Sequence, residues 1–146
     1  MNSLYFEDFL VGTKFDTYSR TITEGDQSLF CAMVGYHVPL FIDEEFAKRT
    51  RYGRRICPSS LVMSFSTAMT ESLFRTNVIA LVSVNNGRFT EPLYIGDTIR
   101  TQVEVIGSKP TSDPSQGLVV FRDTVLNQHD KVIYQIEKTV LIKRKV

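Results

Sequence analysis

Five cations stand within eight residues of this chain: Lys48, Arg49, Arg51, Arg54 and Arg55. Guanidinium groups offer paired N–H donors that match phosphate oxygens. The cluster therefore reads as a phosphate-binding patch, with Arg54 and Arg55 as its candidate residues. The other reading is a solvated loop or a subunit contact. Just upstream, Tyr36 and His37 sit side by side. An imidazole can serve as a general base near neutral pH. A phenol is a poor base there, but it can donate a proton or a hydrogen bond. The alternative for His37 is a loop histidine bonded to backbone. Just downstream, Cys57-Pro58-Ser59-Ser60 opens an uncharged segment. If a helix starts there, the N–H groups of Ser59 and Ser60 can face a developing oxyanion. Plain helix-start chemistry is the competing reading. Neither hydroxyl has an obvious base beside it, so nucleophilic catalysis is disfavoured. Cys57 reads as a buried, inert small residue.

The elements that hold these residues follow from composition and pattern. The 146 residues suffice for one domain with a real core, spanning 1–146. Hydrophobic residues make up 42% and charged residues 23%, an ordinary globular composition. The 17 Lys and Arg nearly cancel the 16 Asp and Glu, leaving a charge of +1. That balance argues against a nucleic-acid partner, which calls for net positive charge. Two cysteines and two histidines without paired spacing argue against zinc. The acidic start MNSLYFEDFL does not resemble a signal peptide. The longest uncharged run, Ile56–Thr70, is too short and too rich in Ser and Thr to span a bilayer. The expectation is a cytoplasmic protein with reduced thiols and no membrane partner.

Helices crowd the first half of the chain and strands the second, which predicts an α+β fold with an antiparallel sheet. A first strand is expected over 14–22. Thr23 to Asp26 then supply a hydroxyl cap and first-turn acids for a helix that Gly35 can end. Pro39 interrupts the chain. Asp43 caps a short helix over 44–49. A long helix is expected from about Pro58 to about Phe74, and its few charges predict burial nearly all round. Val78–Val84 is apolar without a break, which predicts a central strand. Three further strands are expected over 98–106, 118–126 and 131–143, with a loop over 108–117.

Three stretches carry a resemblance: Tyr5–Phe15 leading to Arg20–Gly35, then Pro39–Ile56, and Asn85–Ile99. Together they resemble the MaoC-like dehydratases, a hot-dog-fold family that includes R-specific enoyl-CoA hydratases. The resemblance implies a single antiparallel sheet wrapped around a long central helix. It also implies a homodimer or higher oligomer, or a heteromeric hot-dog partner, with an acyl tunnel at the subunit interface. The implied ligand is an acyl thioester of coenzyme A or of a carrier protein, with no separate cofactor. The implied reaction is hydration of enoyl thioesters or dehydration of 3-hydroxyacyl thioesters. Active relatives resemble Gly-Asp-x-Asn-Pro-Leu-His-x-Asp, in which the Asp and His move the protons. This chain reads Gly-Tyr-His-Val-Pro-Leu-Phe-Ile-Asp over 35–43, with Tyr36, Val38 and Phe41 at the Asp, Asn and His positions. Ser59 stands where relatives resemble Gly, whose N–H polarises the thioester carbonyl. Two functions follow: a hydratase rebuilt around Tyr36, His37 and the Ser59 backbone, or a non-catalytic hot-dog subunit that binds acyl thioesters or partners a catalytic sibling.

Overall fold

The computed structural model describes residues 3–145; Met1, Asn2 and Val146 lie outside them. Helix α1 (Glu24–Val34) starts in a capping box. The Thr23 hydroxyl accepts from the Asp26 N–H at 3.1 Å, and the Asp26 carboxylate accepts from the Thr23 N–H at 2.9 Å. Gly35 ends the helix at φ +73°, a conformation that favours a residue without Cβ. Pro39 opens a turn of helix, α2 (Pro39–Ile42), where its fixed φ suits the first position. The Asp43 carboxylate accepts from the Phe46 N–H at 3.0 Å and so caps α3 (Glu44–Lys48).

Helix α4 (Ser59–Glu71) is capped by Pro58 and ends three residues before the expected boundary. At its end the Thr70 and Ser72 hydroxyls donate to the carbonyls of Thr67 and Met69, each at 2.8 Å. Such back-bonding competes with continued helix. Leu61, Val62, Ser66, Met69 and Thr70 are buried, whereas Ser59, Ser64 and Ala68 are exposed. The expectation of burial nearly all round is thus corrected: the helix is open at its first residue, Ser59, and along a stripe through Ser64 and Ala68.

The strands are β1 (Lys14–Asp16), β2 (Arg20–Thr21), β3 (Val78–Phe89), β4 (Thr98–Pro110), β5 (Gln116–Leu126) and β6 (Val132–Lys143). They form an antiparallel sheet in the order β1-β4-β5-β6-β3, with β2 also on β4. The expected first strand is split. Between its pieces the Thr17 hydroxyl accepts from the Thr101 N–H at 2.9 Å and takes over the ladder. The expected loop over 108–117 shrinks, because pairing runs on to Pro110 opposite Gly117.

The largest correction concerns β3. It is an edge strand, paired only with β6. Ile79, Leu81, Val82 and Val84 are 44–55% exposed. An unbroken apolar run suits a central strand, but it equally suits an edge that another chain covers.

Core energetics can be checked on α4. Met69 is fully buried, so Met69→Ala should cost ~2–5 kcal/mol in urea unfolding. Ser64→Ala on the open stripe should stay within ~0.5 kcal/mol of wild type.

Candidate functional site

The site begins where α4 begins. The N–H groups of Leu61 and Val62 both reach back to the Pro58 carbonyl, at 3.0 and 3.3 Å. Those of Ser59 and Ser60 precede these bonds and have no intrahelical acceptor, as at any helix start. The segment before the helix is pinned. The Cys57 N–H donates to the Leu93 carbonyl at 2.7 Å, and Ile56 bridges Tyr94.

Two hollows flank this helix start. One, of about 650 Å³, is lined by Phe30, Met33, Val34, Gly35, Tyr36, Ser60 and Ser64. The other, of about 220 Å³, includes Arg51, Tyr52, Cys57, Ser59 and Phe89 in its wall. The Ser60 hydroxyl oxygen is buried and has no hydrogen-bond partner among the described residues. Tyr36 therefore meets Ser60 in one hollow, with an apolar wall from α1. Its ring stands edge-on to Phe41, with centroids 5.2 Å apart. No carboxylate and no imidazole lines that hollow. His37 is exposed and faces a third hollow, of about 230 Å³, with Gln27, Ser28, Cys31, Ala32, Tyr36, Ile42 and Arg55. The structure thus brings Tyr36 to the α4 start and leaves His37 in a different hollow from Ser59 and Ser60.

The cation cluster divides. Arg55 makes a two-pronged pair with Glu24, at 2.9 and 2.7 Å, and a third bond to Glu44 at 2.6 Å. Its guanidinium ties α1 to α3, which corrects its reading as an open phosphate ligand. The Arg55 hydrogen bonds hold the Glu24 and Glu44 carboxyls below the ordinary carboxylate range. Lys48 pairs with Glu45 at 2.7 Å. Arg54 is exposed and lies 3.9 Å over the Tyr94 ring, and Arg51 hydrogen-bonds the Tyr52 hydroxyl at 2.9 Å. Neither Arg51 nor Arg54 has a carboxylate within salt-bridge distance among the described residues. Cys57 is inert: burial pushes its thiol up to about 12.

One residue of the site escaped the sequence. Gln27 is buried, and its amide nitrogen donates to the carbonyls of Phe41 at 3.1 Å and Ile56 at 2.8 Å. It straps α1 to the 35–43 segment and to the approach to α4. A glutamine on a helix carries no mark of this in the sequence. Among the described residues no group of three or more His, Cys, Asp or Glu could hold a metal ion, and no helix is long and apolar enough to cross a membrane.

Residues 8–126 match the MaoC like domain family. The chain belongs to that family. A beta-methylmalyl-CoA dehydratase of Chloroflexus aurantiacus is 32% identical over 142 residues, which is 97% of this chain and 40% of that protein. The chain thus spans about two-fifths of the length of that relative. An (R)-specific enoyl-CoA hydratase of Rhodospirillum rubrum is 30% identical over 139 residues, covering 94% of this chain and 91% of that protein. A Mycobacterium tuberculosis protein with a double hot-dog fold superposes at a TM-score of 0.89 with 22% identity, over 98% of this chain and 45% of that one. The fold of this MaoC-like chain is accordingly a hot-dog fold of the α+β class.

The Arg55 clamp predicts an acid response. Glu24 and Glu44 have lowered pKa values in the folded state, so the unfolded chain binds more protons as pH falls through the carboxylate range. The clamp's stabilisation is present above that range and is lost through it. Urea midpoints of Arg55→Gln should therefore lie below wild type at pH 7 and converge with it near pH 3.

Proposed function

We propose that this chain receives enoyl or 3-hydroxyacyl thioesters of coenzyme A, with the thioester carbonyl at the start of α4. The observation that carries this reading is the pair of N–H groups at Ser59 and Ser60, without an acceptor among the described residues, at a helix start flanked by two hollows: Ser60 lines the one walled by Phe30, Met33, Val34 and Tyr36, and Ser59 the other. N–H donors at a helix start stabilise an enolate oxygen, and the apolar wall suits an acyl chain. Arg49, Arg51 and Arg54 are the cations of the cluster without a carboxylate partner among the described residues, open for the phosphates of the coenzyme, and Arg51 lines the same hollow as Ser59. The names of the two curated relatives, a methylmalyl-CoA dehydratase and an enoyl-CoA hydratase, support coenzyme A thioesters as the substrate class.

A second reading is binding without turnover, and one observation favours it. The positions that resemble the proton-moving Asp and His of relatives hold Tyr36 and Phe41, packed edge to face. Adding water to an enoyl thioester needs a base for the water and an acid for the α-carbon. Tyr36 supplies at most a donor. His37, in the adjoining hollow, is the one imidazole in the 35–43 segment. Ordinary hydratase turnover should be weak or absent. Incubation with a panel of enoyl-CoAs, followed by loss of the conjugated thioester absorbance, measures it. Rapid crotonyl-CoA hydration would refute the binding-only reading, and hydration that survives His37→Ala would point to a residue outside the 35–43 segment. The triple substitution Tyr36→Asp, Val38→Asn, Phe41→His should raise turnover by at least ~10²-fold, the lower end of what a positioned acid or base supplies.

Coenzyme A affinity has its own test. Arg54→Ala should weaken binding measured by calorimetry and flatten its dependence on salt. Unchanged affinity would return Arg54 to a solvated loop.

The assembly we propose is a homodimer, in the cytoplasm, that covers the β3 edge. Isolated subunits would leave Ile79, Leu81, Val82, Val84 and Phe89 in water together with a row of unpaired backbone groups. The double hot-dog protein, of which this chain matches somewhat less than half, supports a second fold unit in that role. Sedimentation should give a species at least twice the monomer mass at micromolar concentration. A stable monomer there would defeat the proposal.

A further inference from the structure

The sheet face under α4 is apolar in two separate patches. Ile99, Val125, Tyr134 and Ile136 pack with Leu61 and Met69. Val103, Val105, Phe121 and Val140 pack with Phe9 and Phe74. Between the patches each of three neighbouring strands places one polar residue: Thr101 on β4, Asp123 on β5 and Lys138 on β6, exposed to 0%, 1% and 2%. The register makes them a row. Asp123 stands opposite Val103 and Ile136, so Thr101 and Lys138 are its diagonal neighbours on the same face.

Lys138 Nζ donates to Asp123 Oδ2 at 2.6 Å and to Thr70 Oγ1, on α4, at 2.9 Å. Desolvating such a pair costs about as much as its attraction returns unless the remaining donors and acceptors are also bonded. Three remain. An ammonium has three N–H donors, and two are used here. Asp123 Oδ1 and Thr101 Oγ1 are both buried, and neither has a hydrogen-bond partner among the described residues. One is an acceptor, the other a donor as well as an acceptor, and they belong to adjacent strands. A diagonal spacing of roughly 7–8 Å between such residues leaves room for one small bridging group. Buried water commonly fills this role, making about three hydrogen bonds to groups otherwise left without partners.

We infer that an ordered water sits in this row, donating to Asp123 Oδ1 and accepting from the Thr101 hydroxyl, with the third N–H of Lys138 as a further donor. Through Lys138 and Thr70 the row ties the C-terminal half of α4 to β5 and β6. The water site stands on the core alone and does not depend on which ligand the helix start takes.

Two measurements test it. A high-resolution crystal structure should show a water within hydrogen-bond distance of both Asp123 Oδ1 and Thr101 Oγ1. A direct Thr101–Asp123 hydrogen bond, or a dry contact between them, overturns the inference. The isosteric change Thr101→Val gives opposite signs for the two cases. If the hydroxyl is bonded to a held water, Val strands that water's bonds and the melting temperature should fall by about 2–4 °C. If the hydroxyl is an orphan, Val removes a buried polar group without a partner, and the melting temperature stays or rises.

Discussion

The site depends on one constraint: α4 must be buried along its body yet open at its start. Burial on the sheet fixes the helix axis through Leu61, Val62 and Met69. The start is held by bonds that lie outside the helix: the Cys57 N–H to the Leu93 carbonyl, within the bridge that pairs Ile56 with Tyr94, and the Gln27 amide to the Ile56 carbonyl. Pro58 has no N–H to satisfy, so it can sit buried at the cap without cost to the ladder. With the flanking backbone bonded in this way, the N–H groups of Ser59 and Ser60 are the ones left to face a ligand. A looser start would point the same groups into water, where they have little electrostatic effect.

The same demand explains the helical layer above. Three short helices over 24–48 would not hold alone, because isolated helices of this length are marginal in water. They are joined by the Arg55 clamp to Glu24 and Glu44 and by the Gln27 strap to Phe41, while the capping box at Thr23 and Asp26 holds the start of α1. The clamp occupies one of the two arginines, Arg55, that sequence alone offers as phosphate ligands. It also leaves α1 with Leu29 and Met33 about 70% exposed, on a layer stiff enough to present them. Scattered exposed apolar residues are ordinary, but Met33 also forms part of the wall of the hollow at Tyr36 and Ser60.

How much of this was legible in the sequence follows from the range of each interaction. Caps are local, so Thr23, Asp26, Gly35 and Asp43 announce their helices correctly. Alternation is local too, and β4, β5 and β6 fall close to their expected bounds. The position of β3 is set by which strand lies beside it and by what covers its far side, and no pattern of one strand encodes that. The Arg55 clamp spans 31 residues to Glu24, and the Lys138–Thr70 bond spans 68. A cluster of like charges looks uniform in sequence, but in space each member meets a different partner. The candidate site divided in the same way. A motif marks Tyr36 and the α4 start, and the structure brings Tyr36 and Ser60 to one hollow. Gln27 was missed because its role lies entirely in two carbonyls far along the chain.

The pair Tyr36–Phe41 shows why scaffold and chemistry can part company in this fold. The 35–43 segment keeps its shape through Gly35 at positive φ, Pro39 at a helix start and Asp43 at a cap. None of these needs the side chains at 36, 38 or 41. A pair of aromatic rings, edge to face, gains packing energy of ~0.5–1.5 kcal/mol beyond burial. A carboxylate and an imidazole at the same positions would give up that contact and bring desolvation costs of their own. Proton-moving groups are thus a burden on this segment unless turnover is selected. With rings at 36 and 41 the segment still presents the helix start, the apolar wall of Phe30, Met33 and Val34 and the unpaired arginines, the parts on which the proposed thioester site rests.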